Sequence, residues 1–335
     1  MTTSPERKVR WGVLGYARIA RDCVMPAMMR STNAELYALA SRHEAKLAEA
    51  RAKFPLAQTH AGYEALLADP AIEAVYIPLP NSEHRPWVLR ALENGKHVLC
   101  EKPLGLNAAE GREMMAAADR RGVRLMEAFM YRYTNRTARV REVLRSGALG
   151  EVRFISATFR FLLNRPESIK WIPDLGGGAL YDVGCYPVNF VGLVADEIAG
   201  QAGSGSTAPD TVAAACVRDR GIDVSFSAVL RYPSGLVASI HCGFDAHKHV
   251  RAEIVGTQGV LEVPDTYFDN AGELILVAGD ERRSIPVAES DRYRAEVEDF
   301  SEAIRRGRPP AFGLAESLRN AAVLDRLFAA AATPG

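Results

Sequence analysis

The feature that most constrains the fold is a regular alternation of strand-like and helix-like segments over the first 128 residues. Five short apolar segments read as strands, at residues 9–15, 34–41, 72–80, 96–103 and 123–133. The segments between them have helical composition, and the one at 107–122 begins with Asn107 as a predicted N-cap and Glu110 in the capping-box position. Strands and helices that alternate at this spacing predict a parallel, doubly wound sheet.

From about residue 129 the pattern changes to longer strands with a two-residue period. The segments EVRFISATFRF (151–161) and 222–244 alternate apolar and polar residues, and the YPSG turn within the second favours antiparallel pairing. We therefore predict an α/β Rossmann domain with a doubly wound parallel sheet at residues 1–128. An α+β domain with an open, mostly antiparallel sheet is predicted at 129–335.

The turn after the first strand-like segment reads GYARIA at residues 15–20. The dinucleotide-binding turn GxGxxG keeps its first glycine here, as Gly15, and has alanine at the other two positions. Alanine is small, and the following helix start offers free N–H groups to a phosphate. These residues alone fit either a cofactor turn or an ordinary strand–helix turn, and the position after the first strand of a βαβ pattern favours the cofactor turn.

The end of the second strand-like segment bears on the choice of cofactor. An acidic residue there would bind the ribose 2′-hydroxyl of NAD, but this chain has Ser41 and Arg42. A guanidinium group can bind a 2′-phosphate through forked, charge-assisted hydrogen bonds, and the alternative is a solvated arginine at a strand end. We predict that NADP(H) is preferred over NAD(H).

Composition argues against several other classes of protein. Lysine plus arginine and aspartate plus glutamate number 41 each, so no global basic field favours nucleic acid or an anionic membrane as a partner. No run approaches the roughly 18 apolar residues of a membrane span, and the N-terminus lacks the apolar core of a signal peptide. The five cysteines are widely spaced without a Cys-x-x-Cys pair, which is typical of reduced thiols. We expect a cytoplasmic protein without a metal site.

Seven stretches spread over most of the chain carry recognisable motifs. They are RWGVLGYARIA, LASR, YIPLPNSEH, NGKHVLCEKPL, EAFMYRY, SGALGEVRFISATF and LGGGALYDVGCYPVN. Together they resemble the Gfo/Idh/MocA family, and within it the branch of trans-dihydrodiol, D-xylose and related sugar dehydrogenases or ketoreductases. The resemblance implies that residues 1–128 bind NAD(P), that 129–335 bind substrate and form oligomer contacts, and that the nicotinamide lies in the cleft between the domains.

The resemblance also implies the site residues. Lys102 of the Glu-Lys-Pro triplet would reach the substrate oxygen, and Asp182 is followed four residues later by Tyr186, where inositol dehydrogenases have histidine. We therefore predict Lys102, Tyr186 and Asp182 as catalytic residues. The predicted cofactor-binding residues are Gly15, Ala17, Arg18, Ile19, Ser41, Arg42, Pro78, Leu79, Asn81, His84, Glu101, Lys102, Arg132 and Trp171.

The chain departs from the branch in one loop. Members often carry His-Pro after the strand that ends in MYR, whereas this chain continues with Tyr133, Thr134 and Asn135. That loop is expected near the substrate, so the substrate of no single branch member can be transferred to this chain.

The predicted residues suit a redox reaction at a carbon–oxygen bond. The Lys102 ammonium would polarise a carbonyl or stabilise an alkoxide. Tyr186 would donate or accept the proton, and which of the two is the formal acid or base stays open. Glu101 would anchor the lysine or the cofactor ribose, and Asp182 would orient Lys102 or bind a substrate hydroxyl.

We predict an NAD(P)-dependent oxidoreductase that transfers hydride between nicotinamide and a hydroxyl or keto carbon of a sugar, cyclic polyol or trans-dihydrodiol. One alternative is a nucleotide-linked keto-sugar reductase. The other is a non-catalytic NADP-binding sensor, against which the presence of Lys102 and Tyr186 argues. Apolar strands without an evident helical cover predict a homodimer or homotetramer formed through the C-terminal sheet.

Overall fold

A computed structural model describes residues 7–202 and 207–332 of the chain. The N-terminal stretch for which no signal peptide is predicted includes residues 1–6, and these lie outside the described residues. The chain divides into two compact units, the first formed by Met1–Met130 with Asp291–Ser317 and the second by Tyr131–Ser290 with Leu318–Gly335. The sequence predicted a boundary between residues 128 and 129, with cofactor binding before it and substrate binding after it. That boundary and those roles stay predictions.

The first unit is built on a six-stranded parallel sheet, which confirms the predicted fold class. Its strands are β1 (Val9–Leu14), β2 (Ala34–Ser41), β3 (Gln58–Ala61), β4 (Ala74–Ile77), β5 (His97–Glu101) and β6 (Leu125–Ala128). They lie in the order β3-β2-β1-β4-β5-β6. The order reverses between β1 and β4, and open α/β sheets bind ligands at the carboxyl ends of the strands at such a point. Strand β3 was not predicted, because its sequence QTHA lacks an apolar pattern and it lies at the sheet edge.

Helices connect these strands and bury the sheet. They are α1 (Met25–Arg30), α2 (Glu44–Lys53), α3 (Tyr63–Ala68), α4 (Asn81–Glu93) and α5 (Ala108–Arg121). A π-helical stretch, Ala20–Val24, precedes α1, and residues 18–30 are helical without interruption. The predicted cap of α5 is confirmed, because the Asn107 side chain accepts a hydrogen bond from the N–H of Glu110.

The second unit contains an eight-stranded, mostly antiparallel sheet, as predicted. Its strands are β7 (Val152–Leu162), β8 (Thr211–Asp219), β9 (Ile222–Arg231), β10 (Val237–Gly243), β11 (Asp245–Gly256), β12 (Val260–Pro264), β13 (Gly272–Ala278) and β14 (Glu281–Val287). The order is β14-β13-β12-β11-β7-β10-β9-β8. Every neighbouring pair is antiparallel except β7 with β10.

The remaining helices are α6 (Asn135–Arg145), α7 (Cys185–Ala202), α8 (Arg292–Arg306) and α9 (Leu314–Ala332). Short 3₁₀ turns lie at Met130–Tyr133, Ile169–Trp171 and Pro173–Leu175, and a π-helical stretch, Leu180–Gly184, leads into α7. Helix α8 belongs to the first unit. There the indole N–H of Trp11 donates to the Ser301 hydroxyl at 3.1 Å, and its ring packs on Phe300.

One face of the eight-stranded sheet carries large apolar side chains that reach solvent. The strand registers place Phe154, Leu162, Val217 and Val229 on this face, together with small residues such as Ser239. The four apolar side chains are 36%, 61%, 61% and 48% exposed. On the opposite face, alternate residues such as Ile240 are buried.

No helix within residues 7–202 and 207–332 is both long and apolar enough to cross a membrane. Over the same described ranges, no group of three or more histidine, cysteine, aspartate or glutamate side chains is arranged to hold a metal ion.

Candidate active site

The turn after β1 requires glycine. Gly15 has a φ of +105°, which residues with a side chain rarely adopt. A Cβ at this position would lie 3.0 Å from Leu79 and 3.4 Å from the Tyr63 hydroxyl oxygen. The helix that follows begins with Arg18 and Ile19, and the first N–H groups of a helix have no partner within it. An open backbone beside a helix start fits the pyrophosphate of a dinucleotide.

The end of β2 presents Arg42 on an aromatic ring. Its guanidinium group lies 4.9 Å from the ring centroid of Tyr63 and 3.7 Å from a Glu83 carboxylate oxygen, and its side chain is 60% exposed. The neighbouring Ser41 is buried, and its hydroxyl accepts the N–H of His43. Ser41 and Arg42 were predicted as cofactor-binding residues, but Tyr63 was not. The available signal for Tyr63 was an aromatic residue directly after a turn glycine, Gly62.

Two carboxyl groups hold the backbone on both sides of Lys102, after β5. The N–H of Lys102 donates to Glu101 Oε2 at 3.3 Å, and the Tyr76 hydroxyl donates to Glu101 Oε1 at 2.6 Å. Two residues beyond the lysine, the N–H of Leu104 donates to Glu127 Oε1 at 2.8 Å. The backbone that carries Lys102 is therefore fixed by side chains from β4, β5 and β6.

Glu127 is a buried acid that sequence reasoning missed. Burial raises its pKa to about 7, against the opposing effects of the Ser317 hydroxyl, the Leu104 N–H and the Lys102 charge. The Ser317 hydroxyl lowers this pKa, yet neither it nor the second oxygen of Glu127 forms a hydrogen bond of normal geometry with a described residue. The signal was present in the sequence, because a charged residue inside the apolar segment LMEAF must be paired or protonated.

A further buried acid lies on α8 of the same unit. Glu296 is 1% exposed, and burial together with the nearby Glu101 charge raises its pKa well above its ordinary value. The surroundings of Glu296 therefore favour its protonated form.

His84 joins the ends of β4 and β5. Its ring nitrogens lie 2.8 Å from the Pro103 carbonyl oxygen and 2.9 Å from that of Leu79. Burial lowers the pKa of His84 to about 4, so the ring is neutral at pH 7 and donates one of these two hydrogen bonds. Asn81 is the first residue of α4, and Pro80 precedes it as an N-cap without a side-chain hydrogen bond.

In the second unit, Asp182 pairs with a lysine that the sequence did not reveal. The Lys170 ammonium lies 2.5 Å from Asp182 Oδ2. Asp182 lies in the π-helical stretch that leads directly into α7. Asp182 and Tyr186 therefore lie about one turn apart on continuous helical backbone.

Tyr186 belongs to an aromatic cluster. It is 4% exposed, and its ring centroid lies 5.3 Å from Tyr267, 5.4 Å from Phe159 and 5.9 Å from Tyr131. Apolar and aromatic packing of this kind fixes the direction of the phenol group.

A third buried acid, Asp223 at the start of β9, holds the beginning of this helix. Its Oδ2 accepts the N–H of Leu180 at 2.6 Å. Burial raises the pKa of Asp223 to about 6, and hydrogen bonds from Leu180, its own N–H and Ala179 oppose the rise. Gly178 has a φ of +120°, and a Cβ there would collide with the Asp223 carboxylate. The glycine therefore lets this carboxylate reach the helix start.

Two further predicted residues, Arg132 and Trp171, make contacts within the second unit. Arg132 donates to Asn189 Oδ1 at 3.2 Å, and the Tyr131 hydroxyl donates to the same oxygen at 2.6 Å. The Trp171 indole N–H donates to the Arg165 carbonyl at 3.0 Å. Their roles in cofactor binding stay predictions.

The predicted residues thus form two groups, each described within its own unit. In the first unit they gather at the carboxyl ends of β1, β2, β4 and β5, which meet at one edge of the parallel sheet. In the second unit Asp182 and Tyr186 share one helix. The residues missed by the sequence reasoning are Tyr63, Glu127, Lys170 and Asp223.

Both parts of the chain match described families. Residues 9–129 match the Gfo/Idh/MocA oxidoreductase family with an NAD-binding Rossmann fold, and residues 137–262 match the Gfo/Idh/MocA C-terminal domain. A D-xylose 1-dehydrogenase (NADP⁺) of Haloferax volcanii is 36% identical, over 96% of this chain and 97% of the relative. The dTDP-3,4-didehydro-2,6-dideoxy-α-D-glucose 3-reductase of Streptomyces violaceoruber is 35% identical, over 91% of this chain and 87% of the relative.

A solved structure is similar over nearly its whole length. The 3-ketoreductase KijD10 from Actinomadura kijaniata, in complex with NADP and TDP-benzene, superposes with a TM-score of 0.89 at 30% identity, over 97% of this chain and 98% of that one. Solved variants of KijD10 carry substitutions of one tyrosine by phenylalanine and of one lysine by glutamate or alanine.

Proposed function

The chain belongs to the Gfo/Idh/MocA family of oxidoreductases, and from this premise we propose that it is an NADP(H)-dependent dehydrogenase or reductase of sugar-like substrates. The reacting group is a hydroxyl or keto carbon of a sugar, cyclic polyol or trans-dihydrodiol. The relatives support this substrate class, because those compared above are named for a pentose, a keto-sugar or a keto group.

The observation that carries the proposal is the position of Lys102. It follows β5 at the carboxyl edge of the parallel sheet, the edge at which the Gly15 turn follows β1. Such an edge is where open α/β sheets bind ligands. Glu101 and Glu127 fix the lysine backbone there, which orients a cation before substrate binds.

The bound nicotinamide would supply the redox step by taking or giving a hydride. We assign the cofactor to the predicted set at the strand ends, with Tyr63 added as a neighbour of both the Gly15 turn and Arg42. Arg132 and Trp171 complete the set from the second unit. Ser41 and Arg42 support a preference for NADP(H), because a guanidinium group 60% open to solvent is available to a 2′-phosphate.

The protein's own part in the reaction is to hold the substrate oxygen and its proton. The Lys102 ammonium donates a hydrogen bond to this oxygen and stabilises the negative charge that develops on it. The Tyr186 phenol exchanges the proton, and the aromatic rings around it exclude water. Asp182 binds a neighbouring substrate hydroxyl, and Glu101 anchors the lysine backbone.

A panel of reduced and oxidised sugars tests this function. Purified protein is incubated with D-xylose, D-glucose, inositol and a trans-dihydrodiol plus NADP⁺, or with keto-sugars plus NADPH, and absorbance at 340 nm is followed. We expect turnover with at least one compound and a lower KM for NADP(H) than for NAD(H). Absence of turnover with every compound, while NADPH still binds, would contradict the enzyme assignment.

Substitution of Arg42 tests the cofactor preference with a matched control. Arg42→Gln should raise the KM for NADPH by roughly 10–100-fold, as expected for loss of a charge-assisted pair, and leave that for NADH unchanged. Arg90→Gln is the control, because Arg90 also lies over an aromatic ring, Trp87, and beside a carboxylate, Glu64. An equal effect of both substitutions would remove the role of Arg42.

A nucleotide-linked keto-sugar reductase is the second candidate. It is favoured by the 35% identity to the Streptomyces reductase and by the superposition on KijD10. A dTDP-keto-sugar in the same panel separates the candidates, since the reductase would turn it over with a far lower KM than the free sugars.

We also propose that the protein acts in the cytoplasm as a homodimer or homotetramer. The exposed Phe154, Leu162, Val217 and Val229 on one sheet face support association through the second unit. Light scattering on Val229→Glu, with the wild type as reference, tests it, and an unchanged mass above that of one chain would place the contact elsewhere.

A further inference from the structure

Lys170 lies in a setting built for an ammonium group. Its Nζ is 2.5 Å from Asp182 Oδ2, and it lies 5.2 Å from the ring centroid of Phe161 and 6.0 Å from that of Phe244. The two charged side chains are 28% and 19% exposed, so a ligand can reach both. A partly exposed ion pair contributes little to stability, so a contribution to folding does not by itself account for this pair.

The glycine cluster explains how Lys170 comes to this position. The N–H of Gly178 donates to the Lys170 carbonyl at 3.0 Å, and the N–H of Gly177 donates to the Ile172 carbonyl at 3.0 Å. A Cβ on Gly177 would lie 2.5 Å from the Lys170 carbonyl oxygen. Any larger residue there would push the loop away from the helix that carries Asp182, so the glycines serve to dock Lys170.

The paired groups match the chemistry of a hydroxyl. An ammonium group only donates hydrogen bonds and a carboxylate only accepts them, whereas a hydroxyl does both. A phosphate or carboxylate on the substrate would meet repulsion from Asp182, and a bare CH₂ would use neither group. The half-buried ring of Phe161, which packs on the buried Phe244, offers an apolar surface to the C–H bonds of the same substrate.

We propose that Lys170 is a substrate-binding residue, which together with Asp182 holds the hydroxyl on the carbon next to the reacting carbon. This inference rests on the proposed function, in which Tyr186 serves the reacting oxygen. Asp182 lies one helical turn before Tyr186, so the two side chains suit oxygens on neighbouring carbons. The site thereby selects substrates with two adjacent oxygen functions, and it discriminates against 2-deoxy sugars oxidised at C1.

The test compares each sugar with its deoxy analogue. Initial rates with NADP⁺ are measured for D-xylose and 2-deoxy-D-xylose, and for D-glucose and 2-deoxy-D-glucose. The wild type should favour the sugar with the 2-hydroxyl by about tenfold or more in kcat/KM, because a site that binds a hydroxyl rejects the analogue without it. Equal values for both members of the pairs would overturn the inference while leaving the enzyme assignment intact.

Lys170→Met should abolish this discrimination. We expect kcat/KM for the 2-hydroxy sugars to fall by about 10–100-fold, mainly through KM, with the deoxy sugars and the Kd of NADPH unchanged. Lys170→Arg should restore part of the preference. Lys248→Met is the matched control, because Lys248 also lies over an aromatic ring, Phe268, and beside a carboxylate, Asp265.

The possible outcomes distinguish a failure of the Lys170 inference from a failure of the proposed function. A wild type that turns over none of these sugars and none of the compounds of the panel above, but binds NADPH, refutes the proposed function and the inference with it. An active enzyme whose preference survives Lys170→Met, or is lost equally in Lys248→Met, refutes the inference alone. If Lys170→Met does not fold, the wild-type ratio of kcat/KM for each sugar to that for its 2-deoxy analogue decides whether the inference stands.

Discussion

Lys102 in the first unit and Asp182 in the second are held in the same way, by a buried carboxyl group that accepts a backbone N–H two residues away. Near Lys102 the donor is the N–H of Leu104 and the acceptor is Glu127, at 2.8 Å. Near Asp182 the donor is the N–H of Leu180 and the acceptor is Asp223, at 2.6 Å. In both places the hydrogen bond fixes the backbone near the residue that is proposed to meet substrate, and it does not involve that residue's own side chain.

The two carboxyl groups differ in how many donors they receive. Burial raises the pKa of both, to about 7 for Glu127 and about 6 for Asp223. Glu127 accepts one backbone N–H, while the pKa of Asp223 is held down by the N–H groups of Leu180, Ala179 and Asp223 itself. Each such donor favours the charged form. At the helix start the charged form of the acid therefore has more backbone donors than at the strand end.

The largest expected effect tests the strand-end region. Lys102→Met should lower kcat by about 10³-fold or more, because it removes the cation that stabilises charge on the substrate oxygen. NADPH binding, followed by fluorescence titration, should change little. Lys53→Met is the control, since Lys53 is an exposed lysine on α2 of the same unit. Near-normal turnover of Lys102→Met would remove the catalytic lysine from the proposal.

The next effect tests the helix region. Tyr186→Phe should lower kcat by about 10²-fold and flatten one limb of the pH–rate profile, because the proton path is lost while Lys102 remains. Tyr267→Phe removes a hydroxyl from the same aromatic cluster and should keep most of the activity. A Tyr186→Phe enzyme with the wild-type pH profile would assign the proton to another group.

The same two regions also differ in how far the sequence predicted them. The strand-end site follows from local rules, because parallel strands end at one edge and the residues after them are brought together. The location of Gly15, Arg42 and Lys102 at that edge could therefore be predicted from the chain, whereas the proposed role of Lys102 came from the resemblance to the family. The fold class of both units was predictable for the same reason, since it depends on hydrophobic periodicity.

The parts that could not be predicted depend on contacts between distant segments. Asp223 lies 43 residues from the N–H it accepts, and helix α8 joins the first unit from the far end of the chain. Lys170 could not be singled out from the sequence, because its position beside Asp182 depends on hydrogen bonds from Gly177 and Gly178 to its loop. Buried acids such as Glu127 could be recognised in the sequence as exceptions to an apolar pattern. Their hydrogen-bond partners could not be predicted from it.

The smallest expected effect concerns the two buried acids themselves. Because the folded-state pKa of each is raised above its unfolded value, the folded protein binds more protons, and stability falls as pH rises from about 4.5 to 7 for Glu127 and from about 4 to 6 for Asp223. Glu127→Gln imitates the protonated acid and keeps an acceptor for Leu104. It should equal the wild type at pH 5 and exceed it by about 1–3 kcal/mol in free energy of unfolding at pH 8.

Asp223→Asn should behave in the opposite way. An amide has one acceptor oxygen and would turn its NH₂ group toward backbone donors, so the variant should lose about 1–3 kcal/mol at pH 8 and a few-fold in kcat. Denaturant unfolding at pH 5 and pH 8, read as variant minus wild type, cancels other titrating groups such as His84. If Glu127→Gln destabilises the protein as much as Asp223→Asn does, the number of backbone donors is not what distinguishes the two regions.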